Sequence, residues 1–193
     1  MLTIFKTATL ALTLMSTAAL ADTWTLDSDR SVLGFGSIKN DDTGEAHVFQ
    51  RLSGSVNDDG QAVIDIDLTS VETNIDIRNE RMQEHVFGPA TTATLTANVD
   101  MDQIAALRVG DSTVTEIEGD VGFLGQDIPV FLDVFIMRMS EDQVLVTTNS
   151  MLFVSTEEAG INAGIDMLME IAGLDGITRT FPVTLRLIFD ATA

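Results

Sequence analysis

Apolar and polar residues alternate one by one along much of this chain, and this period of two is the feature that most restricts its fold. In the clearest run, Ile64, Ile66 and Leu68 are each separated by one polar residue. A slip of one residue would turn aspartates into the interior, so the register of such a strand is strongly specified. An Asn-Asp-Asp-Gly turn at residues 57–60 precedes the run and indicates a hairpin.

Comparable runs recur between short polar or glycine-containing turns. They cover residues 24–26, 31–38, 46–56, 64–69, 92–99, 114–124, 128–139, 143–156 and 180–190. About eight strands or slightly more, joined mostly by short loops, predict an all-β fold with a single antiparallel sheet closed into a barrel.

Two segments have helical patterns and predict short helices, Asp76–Val86 and Ile161–Leu174. The second is amphipathic, with apolar residues at helical spacing. We expect it to cover one end or one flank of the barrel. The alternative is a mobile lid over a ligand entrance.

The run 129–139 is apolar on both faces, which is unusual for a sheet with one solvated face. Val130, Leu132 and Val134 alternate with two phenylalanines, Phe131 and Phe135. The barrel interior would cover one row, and the helix at 161–174 is a candidate to cover the other from outside. A barrel of about eight strands either fills its interior with side chains or holds one small ligand, and the pattern leaves both open.

The N-terminus has the layout of a secretory signal peptide. Lys6 precedes an apolar stretch, Thr7–Leu20, which closes on a small-x-small pattern ending at Ala21. The stretch is short of the roughly 20 residues that a membrane span needs. We expect cleavage after Ala21, a mature domain at residues 22–193, and a periplasmic location if the source is a Gram-negative bacterium.

The composition argues against several classes of function. There are 30 acidic against 10 basic residues and no cysteine. A broad basic face for nucleic acid is therefore not expected, nor are thiolate sites, and no later segment predicts stable membrane insertion. With only His47 and His85 and no tyrosine, we expect no enzyme, catalytic residue, metal or cofactor. Both histidines are interpreted as helix-capping or surface residues.

Several motifs in chain order resemble one known family. They are Trp24-Thr25-Leu26-Asp27-Ser28, Ser31-x-Leu33-x-Phe35, Ile66-x-Leu68-x-Ser70-Val71-x-Thr73, Arg78-Asn79-x-Arg81-Met82, Val86-Phe87 and Gly119-x-Val121-x-Phe123-Leu124-Gly125. In these motifs the chain resembles the YceI-like family of exported, lipocalin-like polyisoprenoid-binding proteins. The resemblance implies a lipocalin-like barrel whose lumen holds a long isoprenoid chain, such as an isoprenoid quinone or a polyprenyl phosphate.

The resemblance and the strand pattern together nominate binding residues. The apolar lumen candidates are Leu33, Phe35, Ile64, Ile66, Leu68, Leu95, Val121, Phe123, Leu132, Val134 and Leu152. Arg78 and Arg81 are the headgroup candidates, since a guanidinium suits phosphate oxygens. The alternative for the two arginines is a surface role, balanced by Glu80 and Glu84 along the helix.

The function expected from the sequence is therefore a binding or carrier protein for a hydrophobic isoprenoid ligand. One alternative is a barrel without a ligand that acts as an interaction or stress-response module. An enzyme acting on lipids is the least expected alternative, because no acid–base pair is visible. A homodimer is possible through an open sheet edge.

Overall fold

Twelve strand segments make up most of the computed structural model, which describes residues 23–192. The predicted signal peptide, residues 1–21, and its cleavage point lie outside the described residues. The strands are β1 Thr23–Leu26, β2 Val32–Lys39, β3 Thr43–Phe49, β4 Leu52–Val56, β5 Gln61–Asp67, β6 Val71–Glu72, β7 Thr92–Asn98, β8 Ser112–Phe123, β9 Gln126–Ser140, β10 Gln143–Thr148, β11 Leu152–Ser155 and β12 Thr180–Thr192.

The sheet closes on itself in the order β1-β4-β5-β7-β8-β9-β10-β12, and β12 pairs back onto β1. Every pairing is antiparallel. Towards one end of the barrel, β12 pairs instead with β2 and β11, and β2 continues the sheet to β3 and β6. The short segments thus extend the eight strands of the ring, and the prediction of an all-β, antiparallel barrel of about eight strands is confirmed.

Two of the predicted strands, 46–56 and 143–156, are interrupted, and the second becomes β10 and β11. The run 46–56 is divided between Phe49 and Leu52, so that β3 pairs with β2 whereas β4 pairs with β1. At the break, the backbone N–H of Arg51 donates to the Ser70 hydroxyl at 3.0 Å. The bend therefore lies at residues 50–51.

Across the described residues, three α-helices accompany the barrel, besides a 3-10 turn at Leu68–Ser70. They are α1 Asp76–Arg81, which continues as a π-helical segment Met82–Phe87, α2 Met101–Ala105 and α3 Asn162–Ala172. The short helix α2 was not predicted. Its first turn is capped by the Asp100 side chain, which accepts from the backbone N–H of Gln103 at 3.2 Å. None of the helices within residues 23–192 has the length and apolar character needed to cross a bilayer.

Helix α3 packs on the π-helical segment at one end of the barrel. It does not cover the outer row of β9 as the sequence suggested, and Phe131 on that row is 70% exposed. Helix α3 and the π-helical segment approach each other closely because Gly164 of α3 has no side chain at their contact. Phe131 of the outer row therefore faces solvent, Phe135 is half-buried, and the helix covers the barrel end.

Candidate binding cavity

The barrel encloses an apolar cavity of about 430 Å³, a volume typical of small-molecule sites. Nine of the eleven lumen candidates line it: Leu33, Phe35, Ile66, Leu68, Leu95, Val121, Phe123, Leu132 and Leu152. The other two, Ile64 and Val134, line a second and smaller cavity of about 80 Å³ in the part of the barrel next to α2, whose Met101 and Ile104 also line it. The structure thus places all eleven on cavity walls, and their role in binding stays a prediction.

Aromatic rings form one continuous side of the large cavity. Phe35 stacks on Phe49 with ring centroids 5.2 Å apart, and Phe49 lies 5.8 Å from Phe87. Phe87 in turn meets Phe123 edge to face at 6.2 Å. These four rings come from β2, β3, the π-helical segment and β8, so their mutual packing holds the helical cap against the barrel wall.

The two helical segments close the cavity at the barrel end. From α3, Leu168 and Ile165 face the cavity, and from the π-helical segment Met82 and Val86 do so. This is the apolar face that the helical spacing of the sequence predicted. Helical residues thus supply part of the cavity wall.

The cavity reaches the surface beside the start of α1. Ile75 and Ile77 both line it and are 44% and 50% exposed. Lys39 and Leu174 line the same end. Exposed apolar residues at a cavity entrance suit a ligand that is itself apolar over much of its length.

A group of charged side chains lies at this same end, and Glu45 is at its centre. The Glu45 carboxylate accepts from Arg78 Nη1 at 2.8 Å and from Lys39 Nζ at 3.0 Å. Burial raises the pKa of Glu45, but the hydrogen bonds from Arg78 and Lys39 outweigh it, and the net pKa lies below the ordinary value. Glu45 is therefore ionised at neutral pH and neutralises one of the two cations.

Arg78 faces the cavity and not only the solvent. Its charge is paired with Glu45 of β3 and not with Glu80 or Glu84 along its own helix. Arg78 also donates from Nη2 to the carbonyl of Thr73 at 2.6 Å. Arg81 also lines the cavity and is partly buried. The structure thus brings both headgroup candidates to the polar end of the cavity.

His47 is the residue that the sequence interpretation missed. It is only 5% exposed, so its interpretation as a surface or capping residue was wrong. The ring lines the cavity, lies 5.2 Å from Phe35 and shares a 3.2 Å hydrogen bond with Ser37 through Nε2. The available signal was the alternation of β3, because His47 stands on the same face as Glu45 and Phe49.

Two buried polar atoms at this end have no hydrogen-bond partner within the described residues: His47 Nδ1 and Arg78 Nε. Burial, followed by the nearby charge of Arg78, lowers the pKa of His47. The ring is therefore neutral at neutral pH. A neutral imidazole and a guanidinium N–H at a cavity wall can together hold a carbonyl, hydroxyl or phosphate oxygen.

The Ser-Val-x-Thr motif holds the charged group in place. Thr73 donates to Asn79 Oδ1 both from its backbone N–H, at 2.9 Å, and from its hydroxyl, at 2.6 Å. Ser70 donates to the carbonyl of Asp67 at 2.6 Å. Because these bonds fix the start of α1 against the barrel, they also fix Arg78 over the cavity.

Between residues 23 and 192, no three His, Asp or Glu side chains are grouped so that they could hold a metal ion.

Comparison with known proteins gives three findings. The model of the YceI-like domain matches residues 24–189. A solved polyisoprenoid binding domain from Saccharophagus degradans, implicated in plant cell wall breakdown, is 33% identical, with a TM-score of 0.85 over 88% of this chain and 98% of that one. BcnA from Burkholderia cenocepacia shares the fold at 14% identity, with a TM-score of 0.63 over 84% of this chain and 98% of that one. No curated protein matches the sequence.

Proposed function

This chain belongs to the YceI-like domain family, and from that premise we propose that it is a binding and carrier protein for a long-chain isoprenoid lipid. The observation that carries the proposal is the apolar cavity of about 430 Å³ inside the barrel. The solved relative that is described as a polyisoprenoid binding domain supports the same ligand class. No chemical step is needed, since sheathing an insoluble chain is itself the function.

The cavity volume limits how much of the ligand is enclosed. A cavity of roughly 150 Å³ holds benzene, with six carbons, so the 430 Å³ cavity accommodates roughly three to four five-carbon isoprene units. Each buried methylene-sized group contributes roughly 0.8 kcal/mol. Several isoprene units therefore outweigh the cost of ordering and association.

The charges at the cavity entrance determine which end of the ligand lies at the entrance and which end lies inside the barrel. Lys39, Glu45, Arg78 and Arg81 lie at the surface end of the cavity, whereas its deep end is apolar. We place an oxygen-bearing headgroup, a quinone ring or a phosphate, beside Arg78 and the prenyl tail in the barrel.

The location of the protein is part of the same proposal. The leader pattern at residues 1–21 supports export, cleavage after Ala21 and a mature domain at residues 22–193 in the periplasm. A carrier in that compartment would move an isoprenoid through an aqueous space that the lipid cannot cross alone.

The direct test is to identify what the protein binds. The natively purified protein is extracted with organic solvent for mass spectrometry, and the delipidated protein is titrated with a prenyl alcohol and the matching prenyl phosphate. Prenyl lipids should copurify or bind in a one-to-one ratio. If neither happens, the proposed function is wrong.

A matched pair of variants locates the bound lipid. Ala93 is buried and lines the cavity, so Ala93→Phe should place a ring in the lumen and abolish binding. Ala46 is exposed on β3, so Ala46→Phe adds the same ring to a solvent-facing site and should leave binding unchanged. Equal effects of the two substitutions would place the lipid elsewhere.

A further inference from the structure

Three leucines separate the large cavity from the small one. Leu95, Leu132 and Leu185 line both cavities, and they come from β7, β9 and β12 on different sides of the barrel. Each is less than 10% exposed. They thus form a thin apolar partition across the lumen, with empty space on both of its sides.

The partition lies at the end of the cavity opposite the charged group. Leu185 pairs with Leu33 on β2, and Lys39 stands six residues further along the same strand. At about 3.3 Å per residue, this separates the partition from the charged entrance by about 20 Å. A ligand with its headgroup at the entrance therefore directs the end of its tail towards the leucines.

We infer that Leu95, Leu132 and Leu185 form the floor that sets the length of prenyl tail this protein accepts. The inference rests on the proposed function. In a close-packed interior a buried leucine has no room to change rotamer, but here the small cavity provides that room. A tail that ends above the leucines leaves them in place, whereas a longer tail has to displace them into the 80 Å³ space.

The added length is limited by the volumes involved. Since a cavity of roughly 150 Å³ holds the six carbons of benzene, the 80 Å³ cavity holds roughly three carbons. Replacing one leucine by alanine removes three more carbons from the partition. Together these make room for roughly one additional isoprene unit.

The test measures length preference directly. Delipidated protein is offered an equimolar mixture of all-trans prenyl alcohols that differ by one isoprene unit, and native mass spectrometry reports which lengths are bound. Leu132→Ala and Leu95→Ala should each shift the preferred length upward by about one unit. Leu132→Phe, which thickens the partition, should shift it downward or reduce binding of the longest alcohols.

Leu52→Ala is the matched control. Leu52 is a leucine of β4 that is 2% exposed and lines neither cavity, so its truncation should destabilise the protein without changing the preferred length. If a folded Leu132→Ala or Leu95→Ala variant prefers the same alcohol length as the wild-type protein, the inference is overturned. Failure of the wild-type protein to bind any of the alcohols would instead overturn the proposed function.

Discussion

Gly164 of α3 lies directly against Val86 of the π-helical segment: a Cβ added at position 164 would be only 2.8 Å from the Val86 Cα, and closer still to the carbonyl oxygen of His85. Both neighbours are backbone atoms, which cannot yield as a flexible side chain can. This glycine therefore sets how closely the two helical segments approach each other over the cavity.

We expect Gly164→Ala to push α3 away from the barrel end and to lower the free energy of unfolding by about 1–3 kcal/mol, the usual cost of overpacking. Urea unfolding followed by circular dichroism measures the change. Gly44→Ala is the control, because a Cβ at Gly44 meets no atom within 4 Å. Equal stability of the two variants would show that the helices reposition without cost.

Asn79→Ala removes the acceptor that Thr73 uses twice. The Thr73 side chain and backbone N–H are buried, and a buried donor left without its partner costs about 1–3 kcal/mol. We expect a loss of stability in this range in chemical denaturation. Asn98 is exposed, and its side chain makes no hydrogen bond to any residue between 23 and 192, so Asn98→Ala should change stability by less than about 0.5 kcal/mol. A similar loss of stability in Asn98→Ala would argue against a specific contribution of the Thr73–Asn79 bonds.

His47 should make stability depend on pH above the range where carboxylates titrate. Burial and the charge of Arg78 lower its pKa in the folded protein, whereas in the unfolded chain a histidine titrates near about 6.5. Between these two values the unfolded chain binds more protons. This contribution to stability is therefore present above about pH 6.5 and is lost as the pH falls towards the lowered pKa.

The expected slope for this one group is at most about 1.4 kcal/mol per pH unit. His47→Gln keeps a neutral polar side chain and should flatten the slope. Unfolding free energies measured from about pH 7.5 down to about pH 5.5 test this in both proteins. An unchanged slope in the variant would mean that another group carries the pH dependence.

Glu45 should control which headgroup is preferred. It neutralises one of the two cations that it contacts, Arg78 and Lys39. Glu45→Gln raises the net charge of the group formed by Lys39, Arg78 and residue 45 from +1 to +2, which favours an anionic ligand. We expect the affinity ratio of a prenyl phosphate to the matching alcohol to rise by about tenfold, or 1.4 kcal/mol, in calorimetric titrations.

Glu141→Gln removes a carboxylate that does not line the cavity and should leave that ratio unchanged. If the affinity ratio is also unchanged in Glu45→Gln, the charged side chains around Glu45 do not contact the headgroup.

The fold was predictable because its signals are local. Alternation such as that of Ile64, Ile66 and Leu68 specifies which face of a strand is buried, and turn residues specify where the strands end. The break between Phe49 and Leu52 was not predictable, because it depends on a bond to Ser70 from another part of the chain. The interpretation of His47 failed for the same reason: its burial depends on the packing of rings that are distant in sequence.

The sequence by itself determined the all-β barrel, the residues that form the amphipathic helix and the family resemblance, since each of these follows from residue spacing along the chain. Only the tertiary structure decided that the barrel interior is hollow and that Glu45 meets Arg78 across 33 residues. It also decided that three leucines divide the lumen. Empty volume is the difference between the space that the strands enclose and the space that the side chains fill. That difference depends on every inward-facing residue at once and is not visible in any local pattern.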